Sequence, residues 1–444
     1  MKVALLDPEG RFRLDQAVPV HAQELTCDLG LEALWATMAA DDRLIFDIAR
    51  SVVLRPPTDP AEIRHRQAVL ADCRASVDAI RALYEMAEEA IAAPRHVWGL
   101  RNDSPHSVLR RSVQKMELLV PFLEQLRVWA LENQQSFCSD GLSRLCATLI
   151  EELDPAYLDH VRRHLIDLNF KGGMLLGVQL GRGNVGIGYT LRRRDHRNWL
   201  SRALDRSGYR FAIDPRDDAG TRALDEVADR GANTAGNAVA QSVDHVMAFF
   251  TQLRVELAFY IGAVNLHRRM AERGAVCVPT PRPAGTRTLA ARGLRDVVLM
   301  LTADTPVIAN DLVADGCELV MFTGANQGGK STFMRAIGVA QLMMQAGLSV
   351  TADSFEADVA TGVFTHYKRA EDETLEHGKL EEELARMSQL ADAILPGALL
   401  LCNESFAATN EREGSEIARQ IVRAMLEHDI RIVFVTHMFD LADS

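Results

Sequence analysis

Residues 318–338 read ELVMFTGANQGGKSTFMRAIG, and this stretch decides the fold of the C-terminal part of the chain. An apolar run, predicted to be a β-strand, leads into a loop matching GxxxxGK[ST], and a helical pattern follows at once. Glycines there let backbone N–H groups turn toward phosphates, and the helix N-terminus adds its dipole. We predict an ATP-binding loop, in which Lys330 contacts the β and γ phosphates and the Ser331 hydroxyl binds Mg²⁺. The predicted loop residues are Gly324, Asn326, Gly328, Gly329, Lys330, Ser331 and Thr332.

Two further apolar strands are predicted downstream, and each ends in polar residues. Residues 398–404 (ALLLCNE) end in Asn403 and Glu404, where P-loop ATPases carry one acid for the magnesium shell and one that orients water. Glu404 suits the second role, whereas Asn403 brings no charge, so magnesium affinity or hydrolysis would be reduced. Residues 431–441 (RIVFVTHMFDL) contain His437, a candidate for contacting the γ-phosphate. A capped buried strand and a structural histidine are the alternatives.

The composition is that of a globular protein without membrane spans. The 444 residues are 48% apolar and 25% charged, with a net charge of −12, and are enough for two or three domains. No uninterrupted apolar stretch reaches the roughly 18 residues that cross a bilayer, and the N-terminus lacks a signal-peptide pattern. Seven scattered cysteines without CxxC pairs favour neither a zinc site nor a disulfide framework. We expect a cytoplasmic protein.

Hydrophobic periodicity divides the chain into a helical part and an α/β part. The predicted domains are an N-terminal arm (1–28), a helical domain (29–274), a Pro- and Gly-containing linker (275–285) and an ATPase domain (286–444). Within the helical domain, Asp59-Pro60 predicts a helix start and residues 170–194 predict a β-hairpin. Residues 222–273 predict one long helix, with Gly231 as a candidate break.

The hairpin region carries a concentration of positive charge in an acidic chain. Residues 181–186 match GxGxxG, but an alternating strand follows rather than a helix, so a nicotinamide site is rejected. From Arg182 to Arg210 there are eight arginines against two aspartates, which favours contact with nucleic-acid phosphates. The alternative is a solvated surface that pairs with acids on neighbouring helices. The predicted contact residues are Arg182, Arg192, Arg193, Arg194 and Arg197.

The phosphate loop closely resembles that of the MutS mismatch-repair family, where GPNMGGKST precedes an aromatic residue and Met-Arg. Asn326, the double glycine and the Ser-Thr-Phe-Met-Arg continuation all match. Residues 307–312 (VIANDL), which include Ile308, look like the family's segment near the adenine. Three other stretches are also similar to family segments: NESFAATNEREGSEIA (403–418) to the acidic motif and D-loop, VTHMFDL (435–441) to the histidine switch, and PPTDPAEIRHRQAVLADC (56–73) to the start of the helical levers.

The resemblance implies a multi-domain fold. It would have a mainly α lever domain with a reduced clamp around 170–215, followed by an α/β P-loop ATPase domain of the ABC type. It also implies ATP hydrolysis with Mg²⁺ at a homodimer interface, with DNA as the partner and no membrane. Gly378 and Lys379 would belong to the signature segment that reaches the partner's nucleotide; the alternative is a solvated acidic helix face over residues 371–383.

The sequence departs from the family pattern in several places. The 28 residues ahead of the predicted levers cannot contain mismatch-reading and connector domains, Asn403 replaces Asp, and Lys379-Leu380 replaces a polar stretch containing Ser. The sequence stops soon after His437, so we expect an ATPase domain that is incomplete at its C-terminus. The function hypothesis is a MutS-like DNA-binding ATPase. The alternative is a non-repair nucleotide switch acting on RNA, a ribosome or a protein partner.

Overall fold

Helical periodicity dominates the sequence, and helices dominate the computed structural model of the chain. The structure describes residues 1–96, 104–170, 173–192, 212–214, 216–325, 328–369, 379–407 and 410–442. The helices in this part are α1 (Ala22–Leu29), α2 (Leu31–Ala39), α3 (Arg43–Leu54), α4 (Pro60–Ala75), α5 (Val77–Ala92), α6 (Pro105–Asn133), α7 (Asp140–Glu152), α8 (Pro155–Leu168), α9 (Asp218–Ala271), α10 (Val297–Thr302), α11 (Lys330–Gln345), α12 (Lys379–Ala393), α13 (Glu411–Glu427) and α14 (Phe439–Ala442).

The strands of the described residues form small sheets. They are β1 (Leu176–Leu180), β2 (Gly186–Leu191), β3 (Thr280–Arg282), β4 (Leu289–Leu294), β5 (Asn310–Val313), β6 (Leu319–Phe322), β7 (Ser354–Asp358), β8 (Val363–Tyr367), β9 (Leu399–Asn403) and β10 (Arg431–Val435). Packing divides the chain into a first unit (1–3, 82–135 and 144–254) and a second unit (4–81, 136–143 and 255–444). This division falls inside α9, and the domain boundaries expected from sequence stay predictions.

In the first unit, α6 to α8 and the first part of α9 accompany the hairpin. Strands β1 and β2 pair antiparallel, with Leu176 opposite Leu191, which confirms the predicted hairpin. Gly231 is buried in α9, and a Cβ atom built on it would lie 2.2 Å from Cδ2 of Leu176. The glycine therefore permits close approach of the hairpin to α9. It does not break this helix, since α9 is continuous from Asp218 to Ala271.

Helix α9 is long and apolar enough to cross a membrane by length and composition alone. However, 72% of its most apolar 18-residue window is buried inside the protein, as expected for a core helix. Its hydrophobic residues are therefore explained by packing against the protein's own elements.

In the second unit, residues near the N-terminus enter the core. Leu5 and Leu6 are fully buried. Their backbone N–H groups donate to Oε2 of Glu256 at 2.7 and 2.9 Å, and the hydroxyl of Tyr260 donates to the carbonyl of Leu5 at 2.6 Å. These bonds satisfy buried backbone groups that no sheet or helix partner satisfies. Part of the predicted arm is thus a packed segment.

The sheet that positions the candidate site is parallel, in the order β6-β10-β9-β8. Its central strands β9 and β10 are almost entirely apolar and almost entirely buried, as expected for strands covered on both faces. Buried residues such as Phe364, Leu400, Ile432 and Phe434 belong to one hydrophobic cluster against this sheet. The register aligns Phe322 with Val435 and Val435 with Asn403, so the carboxyl ends of three strands lie at one edge.

A second sheet has the order β3-β7-β4-β5. Strand β3 (Thr280–Arg282) lies within the stretch expected to be a linker and pairs in parallel with β7. Cys277 in the same stretch forms an isolated bridge with Val350. Residues 275–285 are therefore partly incorporated into the second unit, and their role as a linker between domains stays a prediction.

Candidate nucleotide-binding site

The glycine-rich loop joins β6 to α11, as the sequence predicts. Gly324 has a φ of 129° and Gly329 a φ of 80°, a region that glycine adopts without steric cost. Gly329 precedes Lys330, the first residue of α11, so the N-terminus of a 16-residue helix opens onto the loop. Free N–H groups and the helix dipole at such an end favour an anion. Asn326 lies outside the described residues.

The ammonium group of Lys330 lies against this loop. Its Nζ atom donates hydrogen bonds to the carbonyl oxygens of Gly324, at 2.9 Å, and Ala325, at 2.7 Å. The cation is therefore held over the loop rather than extended into solvent. In this position it can contact a phosphate group bound by the same loop.

The next residue, Ser331, contacts the end of a neighbouring strand. Its hydroxyl donates to Oδ1 of Asn403, the last residue of β9, at 2.7 Å. These two side chains place two neutral oxygen ligands together. Mg²⁺ in phosphate sites usually takes few protein ligands and completes its shell with water and substrate phosphates. The pair fits that mode of binding, although it brings no negative charge.

Glu404 and His437 form a second pair at the same edge. Nε2 of His437 lies 2.9 Å from Oε1 of Glu404, and about a third of each side chain is exposed. Glu404 has a φ of 52°, which is uncommon for a residue with a long side chain. Such backbone strain clusters at functional sites. The carboxylate is accessible and oriented by the imidazole.

Seven of the predicted residues line one open cavity of about 420 Å³. It is lined by Gly328, Gly329, Lys330, Ser331, Thr332, Glu404 and His437. The cavity therefore places a cation, a helix N-terminus and a carboxylate around one polar space. This arrangement suits a phosphate chain and an attacking water.

Three other predicted residues either do not line this cavity or are not described by the structure. Ile308 is 81% exposed and does not line it, so its contact with adenine stays a prediction. Gly378 lies outside the described residues. Lys379 is the first residue of α12, but its side chain is not described. The signature role of both residues is thus untested.

The predicted nucleic-acid surface is only partly described. Arg182 and Arg192 lie at the hairpin, and both are exposed. The guanidinium of Arg230 lies 5.6 Å from the ring centre of Tyr189 on β2, which adds another positive group to this region. Arg193, Arg194 and Arg197 lie outside the described residues.

Sequence reasoning missed a buried polar cluster next to the site. It consists of His366 on β8, Glu383 on α12 and Ser405, all of which are buried. A histidine inside the apolar run of β8 was the available signal. Glu383 belongs to the acidic run 371–383, and nothing in that pattern indicated that one of its carboxylates is buried in the protein.

Two parts of the chain match models of known protein families. Residues 58–273 match the family model for the MutS2 N-terminal domain, and residues 320–444 match the model for MutS domain V. The DNA mismatch repair protein MutS of Chloroflexus aurantiacus is 29% identical over 205 residues, which cover 45% of this chain and 21% of that protein. MutS protein homolog 4 of Mus musculus is 27% identical over 161 residues, covering 36% and 17%.

Each of these two alignments spans about a fifth of the length of the relative. The two family models, however, cover separate parts of this chain and include both the helical region from residue 58 and the candidate site. The phosphate loop and the paired side chains beside it lie within the domain V match. The chain belongs to the MutS family.

Proposed function

We propose that this chain binds ATP with Mg²⁺ at the cavity described above and hydrolyses it, using an α/β P-loop ATPase domain of the ABC type. The observation that supports this best is the meeting of two side-chain pairs beside Lys330, with three of the four paired residues lining the cavity. One pair is Ser331 with Asn403, and the other is Glu404 with His437. A polar cavity with these groups has the parts that phosphoryl transfer to water requires.

Each residue has a distinct role in the proposed reaction. Lys330 and the N-terminus of α11 bind the phosphates, and Ser331 with Asn403 would hold Mg²⁺. The bound metal supplies positive charge that stabilises the transferring phosphoryl group. Glu404 orients the attacking water, and His437 orients Glu404 and contacts the γ-phosphate.

We further propose that ATP binding joins two copies of the chain through their ATPase domains, with Gly378 and Lys379 reaching the partner's nucleotide. Closure would move the helical levers and change the grip of the hairpin region on DNA. Support comes from the family and from relatives such as the DNA mismatch repair protein MutS of Chloroflexus aurantiacus. A cytoplasmic location accords with these roles.

The ATPase rate, measured alone and with duplex, branched or single-stranded DNA, tests this function. We expect Mg²⁺-dependent hydrolysis whose rate changes with at least one DNA form. Hydrolysis that no DNA form alters, together with ATP-driven association and no affinity for DNA, would support the alternative switch that acts on RNA, a ribosome or a protein partner.

The pair of neutral metal ligands leads to a prediction for Asn403→Asp. The change is nearly isosteric and adds a negative charge beside the Ser331 hydroxyl. We expect the Mg²⁺ concentration for half-maximal ATP turnover to fall by roughly tenfold, because a carboxylate attracts the cation more strongly than an amide. Magnesium titrations of ATP binding and turnover measure the effect.

Asn410→Asp is the matched control for this change. Asn410 is the N-cap of α13, accepts a hydrogen bond from the Glu413 N–H at 2.9 Å and is exposed. An aspartate keeps the oxygen that caps the helix and adds the same charge at a residue that does not line the cavity. If both variants fold and share the wild-type magnesium dependence, Asn403 does not face the metal. A loss of stability in Asn403→Asp alone would instead indicate repulsion with Glu404.

The hairpin arginines lead to a prediction about DNA. The double variant Arg182→Gln, Arg192→Gln should bind DNA more weakly, and the slope of log K against log salt should become less steep by about two. Each lost arginine removes one phosphate contact and one released counterion. Duplex binding is measured by fluorescence anisotropy at several salt concentrations.

The control neutralises two exposed arginines elsewhere, Arg64→Gln and Arg144→Gln. The control variant has the same net charge as the hairpin variant, so it shows how much DNA binding weakens from the loss of net positive charge alone. Equal salt slopes in the two double variants would show that the hairpin surface does not bind DNA.

A further inference from the structure

The backbone after β9 makes an unusual turn. Glu404 has a φ of 52° and Phe406 a φ of 65°, so two residues with long side chains lie in the left-handed region within three positions. Bulky residues rarely adopt this conformation, and it persists only where the surroundings hold it. The direction of the Glu404 carboxylate depends on this turn, because Glu404 is the first residue in it.

One holding contact comes from α12. Oε2 of Glu383 accepts a hydrogen bond from the backbone N–H of Phe406 at 2.7 Å. The Glu383 residue is only 5% exposed, and burial raises the pKa of its carboxyl group. A carboxylate is costly to bury without partners. The Glu383 carboxylate has the N–H of Phe406 as a partner, and Phe406 lies two positions after Glu404.

A second holding contact comes from His366 on β8. Nε2 of its ring lies 3.2 Å from the carbonyl oxygen of Glu383, and Nδ1 lies 2.8 Å from Oγ of Ser405. The carbonyl can only accept, so Nε2 carries the ring proton. Burial lowers the pKa of His366 to about 4, which keeps the ring neutral at physiological pH. Nδ1 is then an acceptor, and the one proton of the Ser405 hydroxyl lies between Nδ1 and the backbone carbonyl oxygen of His366, each 2.8 Å from Oγ.

The same imidazole stacks on the Phe406 ring, with ring centres 5.4 Å apart and an angle of 21° between the planes. Ser405 and Phe406 are therefore each fixed by a side chain from another element. Ser405 is 0% exposed, Phe406 1% and His366 2%, so water does not compete for these contacts. Both contacts act on the two residues that follow Glu404.

We propose that Glu383 is a positioning residue that acts with His366 to hold the turn 404–406, and thereby aims the Glu404 carboxylate into the nucleotide cavity. This inference rests on the proposed hydrolysis of ATP. It assigns Glu383 no contact with the nucleotide, because Glu383 does not line the cavity. The contribution should therefore show in the rate of the chemical step and not in ATP binding.

The test compares Glu383→Leu with Glu383→Gln. Leucine removes the acceptor for the Phe406 N–H, and we expect a roughly 10- to 100-fold lower kcat with KM for ATP within about twofold, because a small misplacement of a reacting group is costly. Glutamine keeps an acceptor oxygen, so its kcat should stay within about threefold of wild type. A kcat for Glu383→Leu equal to that of wild type would overturn the proposal.

Asp72→Leu is the control for a general loss of stability. Asp72 is also buried, and its carboxylate accepts backbone N–H bonds from Cys138 and Ser139. This variant should lower Tm with little change in kcat. Equal losses of kcat in both leucine variants, at equal losses of Tm, would contradict a positioning role for Glu383.

A second readout keeps the inference separate from the proposed function. Amide hydrogen exchange of the full chain should be faster at residues 404–406 in Glu383→Leu and unchanged there in Asp72→Leu. If wild type does not hydrolyse ATP, the proposed function fails, and the exchange still shows whether Glu383 holds the turn. Unchanged exchange at 404–406 in Glu383→Leu would overturn the inference even in an active ATPase.

Discussion

Lys330→Ala is expected to weaken ATP binding by roughly 10- to 100-fold, which is the scale of a charged hydrogen bond to phosphate. Lys330 is the one cationic residue in the loop sequence 324–331, and its ammonium group already lies over that loop. The β and γ phosphates would lose this cation, whereas the glycines and the helix N-terminus remain. Titration with a fluorescent ATP analogue measures the loss.

The matched control is Lys115→Ala, which removes a lysine from α6, a helix of the first unit. Thermal unfolding of both variants checks that the loss does not come from the bonds of Lys330 to Gly324 and Ala325. Wild-type nucleotide affinity in a folded Lys330→Ala protein would contradict the assignment of the phosphate loop.

Features that depend on neighbouring residues could be predicted from the sequence. The helix start at Asp59-Pro60 is one, because α4 begins at Pro60 and the Asp59 carboxylate accepts from the Ala61 N–H at 2.8 Å. The hairpin and the order strand, loop and helix around Lys330 are others. In each case the signal is a cap, a turn or a periodicity spread over a few residues.

Features that depend on distant residues could not be predicted. Strand β3 forms because Thr280–Arg282 finds a partner in β7, more than 70 residues later in the chain. Gly231 suggested a break, but its role depends on the approach of Leu176. Pairing and close approach are set by tertiary structure, so a local pattern does not show them.

The candidate site divides in the same way. Residues that were given roles at one ATP site were expected to lie close together, and Ser331 does lie beside Asn403, as Glu404 does beside His437. The inward turn of Glu383 toward Phe406 could not be expected, because it depends on how α12 packs beside the turn after β9. The roles of Ile308, Gly378 and the hairpin arginines stay predictions.

Glu404→Gln is expected to retain ATP binding and to lower kcat by about 100-fold or more, the usual scale for losing a group that activates water. The substitution keeps the shape of the side chain. The amide oxygen can still accept from Nε2 of His437, now 2.9 Å from Oε1. The loss is therefore confined to the negative charge that orients and activates water, and the phosphate contacts of Lys330 are unaffected. Single-turnover hydrolysis and nucleotide titration separate the two effects.

The control, Glu427→Gln, removes the same charge from an exposed position at the end of α13 and should leave kcat unchanged. Because nucleotide stays bound in Glu404→Gln, any dimer that ATP closes should persist longer than in wild type, which size-exclusion chromatography with ATP can detect. Turnover at the wild-type rate in Glu404→Gln would show that another group activates the water. Since the left-handed turn at residues 404–406 would then have no catalytic carboxylate to aim, that result would also remove the reason proposed for the contact between Glu383 and Phe406.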